Sequence, residues 1–139
     1  MASGSVDRAI KLWDVNTGDL LRTIVAHGIS VNAVAFDSSG GLLASGSRDN
    51  TVKVWNTTSG GLVRMVSGHN GHVLTVGFAL SGLLASGGGD RTVRLWNVTS
   101  GELARSFGGH GASVQTVAFD GNGLMASGSW DNTIKLWRI

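Results

Sequence analysis

The 139-residue chain has no cysteine, which excludes a disulfide framework and a thiolate metal site. Only 14% of its residues are charged, well under the quarter or so usual for soluble domains. The net charge is +2, so the chain builds no strong field toward nucleic acid or a membrane. No apolar run approaches the roughly 18 residues of a membrane span, and the N-terminus, MASGSVDR, carries no signal-peptide core. Together these absences give the expectation of an intracellular, cytoplasmic protein without a membrane partner. Helical spacing is lacking too, since no segment repeats its apolar residues every three to four positions. The 22 glycines, about twice the usual share, oppose helices further. What the chain does have is 42% hydrophobic residues, enough for one modest core.

Those residues stand in a fixed register. Trp13, Trp55, Trp96 and Trp137 are 42, 41 and 41 residues apart. Asp7, Asp49, Asp90 and Asp131 each precede a tryptophan by six residues, and His27, His69 and His110 each follow one by 14. A period of about 40 residues signals one supersecondary unit copied and stacked. The copies are visible as LLASGSRDNTVKVWN, LLASGGGDRTVRLWN and LMASGSWDNTIKLWR, with MASGSVDRAIKLWD at the N-terminus.

Within a copy the period is two, as in strands. Val31–Phe36 crowds apolar residues like a strand buried on both faces, and Asp37–Gly41 is a turn cluster. Leu42–Gly46 reads as a second strand, Arg48-Asp49-Asn50 as a tight turn, and Thr51–Trp55 as a third strand, β-branched and aromatic. After Asn56–Gly61 the chain enters a fourth strand, Leu62–Val66. The unit is thus expected to be a four-stranded antiparallel meander. Its sheet is apolar on both faces, so copies have to stack, and radial stacking leaves no open end.

These residues resemble the WD-repeat β-propeller family. Ala26-His27, Gly68-His69 and Gly109-His110 stand at its Gly-His element, and Trp13-Asp14, Trp55-Asn56, Trp96-Asn97 and Trp137-Arg138 at its Trp-Asp element. Only the first copy keeps the terminal aspartate, and the proline common after the family's first strand is missing. The resemblance covers essentially the whole chain and implies an all-β fold of propeller blades. Residues 1–139 then form one propeller segment with units at about 1–26, 27–68, 69–109 and 110–139. It also implies a hydrogen-bonded set in each blade: His27, Ser45, Asp49 and Trp55; His69, Ser86, Asp90 and Trp96; His110, Ser127, Asp131 and Trp137. Ser3, Asp7 and Trp13 would form a set lacking its histidine.

Serine, histidine and aspartate are also the types of a hydrolytic triad. Three identical sets, each tied to a strand-ending tryptophan, fit internal latches better than the one preorganised site that catalysis needs. The pair His69 and His72 lacks further ligands for a metal, so neither a metal nor a cofactor is implied. Lys11, Lys53, Arg94 and Lys135 recur four residues after each aspartate and could meet phosphates, although the low net charge argues against nucleic acid.

The family exposes one face to partners. The matching positions are Ser30, Asn32, His72, Leu74, Ser113 and Gln115, three and five residues after each histidine, and the residue before each turn aspartate. That residue is Val6, Arg48, Gly89 or Trp130, and Arg48 and Trp130 are the candidates there. The expected function is a noncatalytic scaffold for protein partners. The alternatives are a binder of nucleic acid or phosphorylated ligands through the basic residues, and a recently amplified or engineered module with no dedicated partner. A propeller takes about four to eight blades, whereas this chain carries about three and a third repeats. The ring is therefore incomplete per chain. Either it is part of a larger propeller, or copies complete it, with a dimer favoured.

Overall fold

The computed structural model describes residues 1–80 and 82–139. Among them are fourteen β-strands and no helix, in four antiparallel sheets. The first sheet holds β1 (Ala2–Gly4), β2 (Ala9–Trp13) and β3 (Leu20–Val25). The second holds β4 (Val31–Phe36), β5 (Leu42–Ser47), β6 (Thr51–Asn56) and β7 (Leu62–Ser67). In the third are β8 (Val73–Phe78), β9 (Leu83–Gly88), β10 (Val93–Asn97) and β11 (Leu103–Phe107), and in the fourth β12 (Val114–Phe119), β13 (Leu124–Ser129) and β14 (Ile134–Arg138). Every sheet is a meander, with strands adjacent in sequence paired in space. Among the described residues the first sheet has no counterpart of β4, and the fourth has none of β7.

The turn before each tryptophan-bearing strand has the same backbone closure in each copy, with a threonine hydroxyl added in all but the first. In the second sheet, Asp49 Oδ1 accepts the Thr51 amide at 3.0 Å and its hydroxyl at 2.6 Å, and Ser47 O accepts the Asn50 amide. This closure puts one residue in the left-handed region: Arg8, Asn50, Arg91 and Asn132, with φ between 66° and 74°. Asparagine tolerates that region better than arginine, so the second and fourth copies carry less backbone cost there.

The core lies between sheets. Ile10, Leu12 and Ile24 of the first sheet pack on Val31, Leu43 and Trp55 of the second. Ala44, Val52, Val54 and Val66 of the second pack on Val73, Val76, Leu84 and Trp96 of the third. Ala85, Val93 and Leu95 of the third meet Val114 and Met125 of the fourth, with Trp137 alongside. Each joint brings an inner-strand valine against a glycine of the preceding sheet. A Cβ at Gly4 would lie 2.6 Å from Val31 Cγ1, one at Gly46 2.6 Å from Val73 Cγ1, and one at Gly87 2.7 Å from Val114 Cγ1. No side chain larger than hydrogen fits there without moving the next sheet.

Candidate functional site

The strand registers bring each expected set together. In the second sheet the Trp55 Nε1–H donates to Ser45 Oγ at 2.9 Å, Ser45 Oγ lies 2.8 Å from His27 Nε2, and His27 Nδ1 lies 2.9 Å from Asp49 Oδ2. The third sheet repeats this through Trp96, Ser86, His69 and Asp90 at 2.8, 2.7 and 2.8 Å. The fourth does so through Trp137, Ser127, His110 and Asp131 at 2.8 Å in each link. In the first sheet Trp13 donates to Ser3 at 3.0 Å, and Asp7 caps the Ala9 amide. Proton counting orients the chain. The serine hydroxyl, already accepting from tryptophan, donates to the histidine Nε2, so Nδ1 carries the proton and donates to the carboxylate.

Burial sets the electrostatics. Desolvation pushes the His27 and His69 rings below the ordinary imidazole range, outweighing the pull of Asp49 and Asp90. Burial also opposes the Asp49 and Asp90 charges, but the histidine, threonine and amide donors around them prevail and hold both carboxyls below their usual range. The Thr133 hydroxyl leads the donors that lower Asp131. The second- and third-sheet latches therefore contain neutral His27 and His69 rings beside ionised Asp49 and Asp90 at neutral pH.

A pH dependence follows. Below about pH 6.5 the unfolded chain takes up protons on His27 and His69 that the folded chain refuses, so stability falls as pH drops. A second loss comes as pH passes down through the ordinary carboxylate range, where the unfolded aspartates protonate first. The urea midpoint is expected to decrease between about pH 7.5 and about pH 5.5. A midpoint that is level or rises over that interval would contradict neutral latch histidines.

The geometry gives these sets no catalytic access. Ser45, Ser86 and Ser127 are fully buried, and each hydroxyl is held by both a tryptophan and a histidine. A substrate carbonyl cannot approach a nucleophile so enclosed. His69 uses both ring nitrogens within its latch, and His72 donates from Nδ1 to the Arg48 carbonyl at 2.8 Å, so the two do not form a chelating pair. Two of the four recurrent cations are also spoken for. Lys53 donates to the Ala26 carbonyl at 2.8 Å, and Arg94 to the Gly68 carbonyl.

One register escaped the reading of the sequence. Arg22, Arg64 and Arg105 stand 42 and 41 residues apart. Arg22 on β3 donates to the Thr58 and Ser59 carbonyls of the second sheet, at 2.7 and 3.0 Å. Arg64 on β7 reaches Thr99 O of the third sheet, and Arg105 on β11 reaches Arg138 O of the fourth at 2.9 Å. The spacing was visible, but these residues sit in the outer strands, where the copies look least alike.

The positions expected to face partners meet in pairs at one end of the sheets. The Arg48 amide donates to Ser30 O at 3.2 Å, the Gly89 amide to His72 O at 2.9 Å and the Trp130 amide to Ser113 O at 3.0 Å. Arg48, His72 and Trp130 are exposed, Trp130 at 73%. Asn32, though exposed, is committed to the Val73 carbonyl of the next sheet at 2.9 Å. Leu74 and Gln115 are half-buried, and Gln115 Nε2 has no hydrogen-bond partner among the described residues.

Known proteins share the repeat and the fold. Residues 18–56, 60–97 and 101–138 each match the family model described as WD domain, G-beta repeat. Each match runs from the outer strand of one sheet through the third strand of the next. Nuclear distribution protein PAC1 of Coprinopsis cinerea is 45% identical over 40 residues, 29% of this chain and 9% of that protein. A Lissencephaly-1 homolog of Monosiga brevicollis is 44% identical over 43 residues, 31% of this chain and 10% of that protein. The structure of U3-55K superposes with a TM-score of 0.94 at 27% identity, over 99% of this chain and 45% of that one. The crystal structure of RRP9 WD40 repeats superposes with the same score and identity, over 99% of this chain and 44% of that one. The chain thus spans less than half of either solved chain and carries an incomplete ring. With repeat matches along most of its length and four stacked meanders, it belongs to the WD40-repeat β-propeller family.

Proposed function

We propose that this chain is a noncatalytic scaffold that holds protein partners on the end of the sheets bearing Arg48, His72 and Trp130. The exposure of Trp130 carries the reading. A tryptophan 73% exposed leaves a large apolar surface in water, and such residues are enriched where binding energy concentrates. The backbone that carries it is held by the bond to Ser113 and by the Asp131 turn. His72 ties the third sheet to the second through the Arg48 carbonyl, which makes the face continuous across their joint. The family supports the same reading, since rigid stacked sheets present loops without chemistry of their own. The relatives' names, nuclear distribution protein among them, support an intracellular location, which this proposal narrows to the cytoplasm. A phosphate or nucleic-acid ligand is less well supported, because Lys53 and Arg94 are held by backbone carbonyls.

The test pairs stability with binding. Trp130→Ala and Arg48→Ala are expected to leave the unfolding free energy from urea melts within about 0.5 kcal/mol of the parent. Trp130→Ala is expected to weaken a partner recovered by the parent chain by roughly 2 kcal/mol, some thirtyfold. A large loss of stability with binding intact would make Trp130 a packing residue and defeat the proposal.

A further inference from the structure

The two ends of the stack leave uncovered faces, and the faces match. On the fourth sheet Ile134 and Leu136 of β14 are 76% and 65% exposed. In the same register Val52 and Val54 of β6, and Val93 and Leu95 of β10, are at most 2% exposed, because a following sheet lies on them. On the first sheet Met1 and Trp13 are held opposite each other by two backbone bonds, at 2.8 and 2.9 Å. They occupy the register of Leu43 and Trp55, and of Leu84 and Trp96, the pairs that cover the preceding sheet at the first two joints. Met1 is 65% exposed, whereas Leu43 and Leu84 are buried. One end of the chain therefore presents the surface that internal joints cover, and the other end presents the surface that covers it.

We propose that the two faces bind each other between two copies of this chain, head to tail, with Ile134 and Leu136 of one copy on Met1 and Trp13 of the second. A head-to-tail contact either closes a ring or propagates. Two copies bring twice the four sheets of one chain, eight in all and within the range of about four to eight blades in propeller rings. Three copies would exceed that range, so the closed pair is the assembly that covers every end face. Its joints are weaker than the internal ones. Among the described residues the first sheet has no inner strand to set a valine against Gly128, and the fourth has no outer strand to carry a clamp like those of Arg22, Arg64 and Arg105. The pair should therefore dissociate on dilution. This inference does not depend on the partner face, which lies at the sheet ends.

Light scattering of the 139-residue chain tests it first. The expected mass is twice 14.4 kDa at high concentration, falling toward the single-chain mass on dilution. Leu136→Asp, at a position exposed in the single chain, should keep the all-β spectrum and raise the dissociation constant at least about tenfold. The absence of native cysteine allows a direct test of orientation. Lys11→Cys, beside Trp13 on the first sheet, and Leu136→Cys should crosslink when the two variants are mixed under oxidation, and neither should crosslink to itself. Self-crosslinking of Leu136→Cys would show the fourth sheets facing each other, tail to tail, and overturn the proposal. So would a mass that grows beyond two chains. A monomer at all concentrations would also overturn it and assign the faces to another occupant, such as further repeats of a longer polypeptide.

Discussion

Asp90→Ala is expected to destabilise the fold by roughly 3–5 kcal/mol, the cost of deleting one partner from a buried charged network. The Asp90 side chain is 8% exposed and accepts four hydrogen bonds from three residues: the His69 ring at 2.8 Å, the Thr92 hydroxyl at 2.8 Å, and the amides of Asn70 and Thr92 at 3.1 and 3.2 Å. Arg94 lies 3.6 Å away. Alanine leaves the buried His69 Nδ1–H without an acceptor and frees the chain of bonds running through Ser86 to Trp96. Asp90→Asn keeps an acceptor oxygen and removes the charge, so its loss should fall between alanine and the parent. Asp19→Ala, at an exposed turn, should stay within about 0.5 kcal/mol. Equal losses at positions 90 and 19 in urea melts would mean that the latch contributes nothing.

Gly46→Val should cost about 3 kcal/mol, the upper end of the usual range for overpacking. Valine favours strands intrinsically, so the local preference opposes the predicted outcome and the joint decides it. The new Cβ alone would stand 2.6 Å from Val73 Cγ1 and 3.1 Å from Val76 Cγ1. Val73→Ala removes the nearer obstacle and should recover part of the loss, giving a coupling of roughly 1 kcal/mol or more in a double-mutant cycle. The same change at Gly128, where the near neighbour is Thr116 of its own sheet at 2.9 Å, should be milder. Additivity of the Gly46 and Val73 changes would show that the sheets do not press on each other there.

The strands and latches were legible because each depends on residues within one copy. Alternation marked β4 to β7, and the structure extends β5, β6 and β7 by one residue each. The constant offsets between His69, Asp90 and Trp96 reflect one register of hairpin pairing, and that register sets the distances. What passes between copies was harder to read. The glycine at positions 4, 46, 87 and 128 keeps the repeat spacing, yet at the first three its reason lies in a valine of the following sheet. Asn32 is exposed, as its offset implied, but the offset gave no sign that its amide spans a joint to Val73. Trp130 was visible as the tryptophan out of register, and the structure adds where it stands and what fixes it. No local pattern encodes the chemistry of whatever it meets, because that complementarity belongs to another molecule.

The three joints also set how the molecule opens. Each sheet leans on its sequence neighbours, so stability is a sum of nearest-neighbour terms along the chain, much as in a linear array of coupled units. The second and third sheets are braced on both sides and have all four strands, while the first and fourth have one joint and three strands apiece. Amide protons should accordingly exchange slowest in β5, β6, β9 and β10 and fastest in β1 and β14, with protection graded outward from the middle joint. A substance that covers the outer sheets would slow exchange at the two ends first, before it altered the centre of the stack.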